Sequence, residues 1–180
     1  MNPLGPTLTT ERLMLRPPIL EDFDAFADFC ADEVLMSHLG GVQSRPVAWR
    51  TFLGAGGSWA IQGFGMFSVF EAASGLWVGR IGPIRHVDWP GTEVGWGLTR
   101  DTQGRGYARE AATAAMDWVV DHLGWTEIIH TIDAENTASQ KVARALGSRI
   151  LRTATLPPPI AHGDVDVWGQ SADEWRARRR

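Results

Sequence analysis

The segment Asp101-Thr102-Gln103-Gly104-Arg105-Gly106-Tyr107-Ala108 sets two glycines directly before a long helical pattern. Glycine tolerates left-handed backbone, so such a turn can curl consecutive N–H groups toward one point. A helix N-terminus adds a partial positive charge there, which makes the segment a candidate cradle for a pyrophosphate. A turn that merely starts a helix has the same spacing, so the neighbouring residues must decide. Two other phosphate motifs fail. A dinucleotide fingerprint needs a small residue where Arg109 stands, and its strand should open the fold. A nucleotide P-loop needs Gly-Lys-Ser/Thr, yet the chain's single lysine is Lys141. The five His have no metal-ligand spacing, and the lone cysteine, Cys30, has no pair for zinc or a disulfide, so no metal site is expected.

The elements around this turn follow from periodicity. Residues 12–16 alternate as a half-buried strand stopped by Pro17-Pro18, and Glu21 to Ala31 sets Phe23, Phe26, Ala27 and Cys30 at helical spacing. Residues 32–58 are Gly-rich and irregular, with a helix around Val47 to Phe52. Ser58–Ile61, Gly65–Phe70 and Trp77–Ile84 predict short strands, the last two joined as a hairpin through Ala72 to Gly75. A loop from Arg85 to Gly91 leads to a strand over Thr92 to Leu98. Ala108, Ala111, Ala112, Ala115, Met116, Val119 and Val120 then mark a helix from Gly106 to Leu123, closed by Gly124. Glu127–Ile132 is a continuous β run, and Asn136 opens a helix through Leu146 that ends at Gly147. This succession implies a parallel pairing of Thr92–Leu98 with Glu127–Ile132 through a right-handed crossover. A short strand over Val165–Trp168 and a capping box, Ser171-x-x-Glu174, complete the pattern.

Taken together, Glu93-Val94-Gly95-Trp96-Gly97-Leu98, Gln103-Gly104-Arg105-Gly106-Tyr107-Ala108-Arg109-Glu110-Ala111, Asn136-Thr137-Ala138-Ser139 and Ala145-Leu146-Gly147 resemble the GNAT acyltransferases. The likeness is to the branch holding the ribosomal-protein N-terminal acetyltransferases. Thr10-Glu11-Arg12-Leu13-Met14-Leu15-Arg16-Pro17 and Asp173-Glu174-Trp175 extend it to nearly the whole chain. The resemblance implies an α/β (α+β) fold whose central twisted mixed sheet, flanked by helices, splays open between its fourth and fifth strands. Acetyl-CoA would occupy that cleft and pass its acetyl group to a primary amine by direct attack in a ternary complex.

The resemblance also distributes roles. Val94, Gly95 and Trp96 would lie beside the thioester, where a backbone N–H holds the developing oxyanion. Gln103, Gly104, Arg105, Gly106, Tyr107 and Ala108 would hold the phosphates. Glu93 is the candidate base, or a hydrogen-bonding residue that only orients substrate or water. The Tyr that many relatives use as an acid is replaced by Ala143. Tyr107, the only Tyr, sits by the phosphate turn and is a poor substitute. Ser139 remains, matching a Ser near the CoA sulfur in the ribosomal branch, either as proton donor or as a first-turn helix residue. Asn136 would cap its helix, contact the pantetheine arm, or do both. Asp101 stands where many members carry Gln or Arg, Arg105 and Arg109 could compensate, and Ser148 replaces the common Phe after Gly147.

The 180 residues, 44% hydrophobic, fit a single N-acetyltransferase domain over 1–180. The start at Met1 has no apolar leader pattern and no run approaches a membrane span, so a cytoplasmic protein with no membrane partner is expected. A net charge of -4 argues against nucleic acid. Glu21, Asp22, Asp24, Asp28, Asp32 and Glu33 cluster near the first helix, which would attract a cationic acceptor or merely be solvated. The acceptor is therefore an amine-bearing small molecule or a protein N-terminus. A homodimer follows only by analogy with relatives. A noncatalytic acyl-CoA-binding or regulatory module is the rival, because the proton donor is uncertain.

Overall fold

A computed structural model describes residues 4–158 and 163–179. The readings on Met1 to Pro3 and on Arg180 lie outside the described residues. The strands are β1 Leu8–Thr9, β2 Leu13–Arg16, β3 Phe67–Glu71, β4 Trp77–Ile84, β5 Glu93–Leu98, β6 Glu127–Ile132, β7 Arg149–Thr155 and β8 Asp164–Ser171. The helices are α1 Phe23–Ala31, α2 Glu33–Met36, α3 Arg45–Gln62, α4 Tyr107–His122, α5 Thr137–Ala145 and α6 Ala172–Arg179. All eight strands join one mixed sheet in the order β1-β2-β3-β4-β5-β6-β8-β7. Only β5 and β6 run parallel, as their helical crossover requires.

One face of the sheet is covered by α4. Leu13, Leu15, Phe67, Val69, Ile81 and Val94 meet Ala111, Ala112, Ala115, Met116 and Val119, all buried. The alanines let the helix approach closely, and each fully buried large aliphatic side chain contributes about 1.5–3 kcal/mol. The other face is covered by α1 and α3, where Phe26, Phe29, Phe52 and Trp77 form a second apolar cluster. No helix among the described residues is long and apolar enough to cross a membrane.

Three readings need correction. Ser58–Ile61 is the end of an 18-residue helix, not a strand. Ser44 and Pro46 start α3, Gly63 at φ 76° stops it, and Ala48, Phe52 and Trp59 are its buried contacts. Gly54, Gly56 and Gly57 break up its apolar pattern, so packing of Trp59 against Phe67 and Trp118 overrides local propensity. Residues 33–36, expected to be irregular, form a helical turn capped by Asp32, which accepts from the N–H groups of Val34 and Leu35. β7, which the sequence did not reveal, is an edge strand that is largely exposed and therefore carries no alternation. At the other end, α6 is a full helix with both capping-box bonds, Ser171 N–H to Glu174 and Glu174 N–H to Ser171 Oγ. Trp175 anchors it in the core, so the arginine-rich end is a packed helix as far as Arg179.

Candidate active site

The parallel pair β5–β6 has one register contact, Glu93 with Ile129, and opens beyond it. Counted from β2, these are the fourth and fifth strands, so the sheet splays where expected. Continuing the ladder would send the Thr131 N–H to the Val94 carbonyl. Side chains intercept both groups instead: Thr131 N–H donates to Glu93 Oε1 at 3.1 Å, and His130 Nδ1 donates to the Val94 oxygen at 2.7 Å. The Ile129 N–H still bonds the Thr92 carbonyl, so by alternation the backbone N–H and C=O of Trp96 face the open fork. Of the three β5 residues proposed beside a thioester, Val94 is therefore engaged at the closed end and Trp96 is the one presented to the gap.

Glu93 lies at the apex of the fork, 4% exposed. Its Oε2 accepts from the Trp89 indole at 2.6 Å, and Thr131 Oγ1 donates at 2.9 Å. Burial raises the carboxyl pKa from 4.5 to about 7, opposed by the bonds from the Thr131 backbone, Trp89 and the Thr131 hydroxyl. Of Trp49, Trp59 and Trp89, only Trp89 reaches this site. Trp59 is core, and Trp49 packs its ring on Phe23 and Phe52.

The side chains of β5 divide between the two faces. Glu93, Gly95 and Gly97 point toward α1, since a Cβ on Gly97 would meet Phe29 Cζ at 2.9 Å and one on Gly95 would meet Ile84 Cδ1 at 2.8 Å. Trp96 points to the opposite face, where its indole donates to Ser139 Oγ at 3.2 Å across the fork. An indole only donates, so the Ser139 oxygen accepts and its own proton remains available for another partner. Asn136 caps α5, its Oδ1 taking the Ser139 N–H at 3.0 Å. The capping role is thus present. Ala143 is fully buried in the core, leaving α5 with no phenol toward the fork.

The glycine turn has the geometry that an anion cradle requires. Gly104 and Gly106 sit at φ 75° and 81°, left-handed values, and Gly106 is the N-cap of α4. The Gln103 N–H bonds Arg100 O and the Glu110 N–H bonds Gly106 O. Among the described residues, no acceptor takes the N–H groups of Gly104 to Arg109. A Cβ on Gly104 would meet nothing within 4 Å, so the turn is open as well as unpaired. These residues fit a pyrophosphate. Side chains add less: Gln103 Nε2 is tied to the Leu98 carbonyl, Arg105 lies 3.6 Å from Glu71, and the Arg105 carbonyl accepts from Arg12. Asp101 and Arg109 are exposed, while Ala108 packs against the core. The Tyr107 hydroxyl donates to Glu71 at 2.5 Å, and that bond together with burial raises its pKa, so the phenol is committed away from the fork.

One residue at the fork was not legible beforehand. His130 is 1% exposed, and burial drives its pKa down to about 4, against the opposing bond to Val94. The ring is therefore neutral. A carbonyl only accepts, so Nδ1 carries the proton and Nε2 accepts from Ser148 Oγ at 3.1 Å. Gln170 Nε2 in turn donates to Ser148 Oγ at 3.0 Å and to the Leu146 carbonyl at 2.9 Å. Ser148, read as a packing departure, instead holds a buried polar chain behind β5.

Comparison with known proteins agrees with this geometry. Residues 12–149 match the acetyltransferase (GNAT) domain family. An uncharacterized N-acetyltransferase of Bacillus subtilis, YnaD, is 26% identical over 143 residues, covering 79% of this chain and 82% of that one. The crystal structure of an acetyltransferase from Agrobacterium tumefaciens superposes with a TM-score of 0.80 at 33% identity, over 92% of this chain and 94% of the other. A spermidine N-acetyltransferase from Vibrio cholerae, solved with CoA and spermine, has a TM-score of 0.75 at 16% identity over 93% and 99% of the two chains, and shares the fold. The chain belongs to the GNAT N-acetyltransferase family, whose members move an acetyl group from acetyl-CoA to an amine.

Proposed function

We propose that this chain, as one domain over residues 1–180, binds acetyl-CoA through Gln103 to Ala108 and acetylates a primary amine at the fork by direct attack in a ternary complex. The observation that carries the reading is the placement of Glu93 and Ser139. A buried carboxylate with a pKa of about 7 faces α1, and a hydroxyl with an uncommitted proton projects from α5, on opposite sides of one open gap. When bound, acetyl-CoA supplies an activated thioester. Glu93 accepts the proton that the amine must lose, directly or through one water. The Trp96 N–H, aimed into the gap, stabilises negative charge on an acyl oxygen placed there. Ser139 returns a proton to the departing sulfur, and Asn136 fixes the first turn that holds it.

The acceptor is a small molecule rather than a protein N-terminus. Half of the six acidic residues that would draw in a basic peptide are neutralised, with Asp22 paired to Arg16, Asp24 to Arg45 and Asp32 to Arg100. The test is release of free CoA thiol on mixing acetyl-CoA with an amine panel. Turnover with at least one amine is expected, and Ser139→Ala should lower kcat by about 10²-fold while the acetyl-CoA KM stays near wild type. Tight acetyl-CoA binding with no amine acylated would leave the noncatalytic module as the correct reading.

A further inference from the structure

Arg80 lies midway along β4, and the α1 face around it offers no counter-charge. Its register partner is Gly97, and paired residues on antiparallel strands share a face, so Arg80 and Glu93 project to the same side. The guanidinium sits 5.5 Å from the ring centroid of Phe26 and 5.8 Å from that of Phe29. Among the described residues, no carboxylate pairs with it and no acceptor takes its N–H groups. It is half-buried, and none of its nitrogens is sealed from solvent. Burial lowers its pKa, opposed only by Cys30, yet a guanidinium stays protonated. A second donor in the same apolar cluster is also unpaired: Trp77 Nε1 is buried without an acceptor, its ring 5.8 Å from Phe29. On the same side of the sheet Arg16, Arg45 and Arg100 each pair with a carboxylate, whereas Arg80 does not. Aromatic faces offset part of the desolvation of a cation but provide none of the hydrogen bonds its five N–H groups need.

We propose that Arg80 is the anion-recognising residue of the acceptor site, and that the acceptor is a small amine carrying a carboxylate. This rests on the reading of the fork as an acetyl-transfer centre with Glu93 on its acceptor side. Ile84 pairs with Glu93, and Arg80 lies four residues earlier on the same strand, about 13 Å away between Cα atoms. Glycines 82 and 95 face one another between them, and only the tip of Ile84, whose Cδ1 would lie 2.8 Å from a Cβ on Gly95, leans over that stretch of β5. An amine at Glu93 and a carboxylate at Arg80 are thus separated by several bonds, as in the longer ω-amino acids and not in α-amino acids. His86 and Trp89, ring centroids 5.1 Å apart and edge to face, stand in the loop after β4, and Trp89 holds Glu93 directly.

The test uses full-length protein with glycine, β-alanine, 4-aminobutyrate and 6-aminohexanoate, the α-amino acids, the corresponding carboxamides, aminoalkyl phosphonates and spermidine. Thiol release gives kcat and KM, and calorimetry with desulfo-CoA present gives binding without turnover. Wild type should prefer carboxylates over their amides, with one chain length favoured. Arg80→Met should raise KM for carboxylates by about 10- to 100-fold with kcat little changed, and leave the amides unaffected. Arg80→Lys should recover part of the loss. Because an unpaired charge is removed, Arg80→Met should melt no lower than wild type, which separates a binding role from a structural one. Phosphonates bound in preference to carboxylates would show that the anion is a phosphate-type group. Equal use of acids and amides, preference for spermidine, or a uniform loss across all acceptors on Arg80→Met overturns the assignment. Carboxylates that bind through Arg80 but are never acetylated would instead overturn the transfer reading and leave the anion site standing.

Discussion

Replacing Glu93 by Gln separates the ionisation of this carboxyl from everything else at the fork. Its pKa rises from 4.5 to about 7 because burial penalises the charged form more than three hydrogen bonds stabilise it. At about 1.4 kcal/mol per pH unit, that rise is worth roughly 3 kcal/mol. Below pH 4.5 the folded and unfolded chains both carry the proton, and Glu93 contributes no pH dependence. Between pH 4.5 and about 7 the unfolded chain gives up its proton while the folded chain keeps it, so the native state loses stability progressively. Above about pH 7 the cost is constant. Gln cannot ionise. The stability of Glu93→Gln relative to wild type should therefore climb by roughly 3 kcal/mol from pH 4.5 to 7 and then level off, read by urea denaturation at each pH. A constant offset will sit on top of this, because a Gln amide cannot accept from both Trp89 and Thr131. The kinetic counterpart is a wild-type kcat/KM that rises through a pKa near 7. In the Gln variant that limb disappears and kcat drops by about 10²- to 10⁴-fold, with acetyl-CoA binding retained. A stability difference independent of pH across this window, or a limb that survives the substitution, would refute the assignment of Glu93 as a buried base.

Two further outcomes follow from the glycine turn and from His130. Gly106→Ala forces a side chain into a left-handed backbone at φ 81°, a strain of about 1–2 kcal/mol, and sets its Cβ 3.4 Å from Arg12 Nη2. The acetyl-CoA KM should rise about tenfold with little loss of kcat, whereas Gly54→Ala, in α3 with nothing within 4 Å, should leave KM alone and add roughly 0.5–1 kcal/mol of stability. For His130, whose pKa falls from 6.5 to about 4, the unfolded chain gains a proton that the folded chain refuses as pH drops through that window. Wild type should lose roughly 3 kcal/mol relative to His130→Gln between pH 6.5 and 4, opposite in sign to the Glu93 effect where the two ranges overlap, as measured by denaturation.

What the sequence disclosed depended on whether a signal was local. α4 was legible because it carries a strong helical period over its own length, β4 and β6 because each is a contiguous apolar run, and Glu93, Ser139 and the glycine turn fell within contiguous motifs. α3 was lost because three glycines interrupt the apolar spacing of Ala48, Phe52 and Trp59, which only tertiary packing makes sense of. β7 was lost because an exposed edge strand need not alternate. His130 is defined by Val94, Ser148 and Gln170, residues 36, 18 and 40 positions away, and nothing in its neighbours on β6 marks it out. Arg80 was invisible for a related reason: what distinguishes it is the absence of a partner, and that depends on the register of β4 against β5.

That register is also what divides the work of the fork. Because side chains on a strand alternate, Glu93 and Arg80 face α1 while Trp96 and Ser139 meet on the α5 side. An acceptor can therefore approach its base from one face of the sheet while a thioester lies against the other, and the two meet only where the ladder is interrupted. The interruption is built from the same residues: Glu93 takes the Thr131 N–H and His130 takes the Val94 carbonyl, so the carboxylate we propose as the base also prevents the next rung from forming. Closing the fork would require both bonds to break and would leave a buried carboxylate and a buried imidazole short of partners, a penalty of about 1–3 kcal/mol for each group. The gap is thus a property of the folded chain before any ligand arrives, which is what a site that must hold two substrates on opposite faces requires.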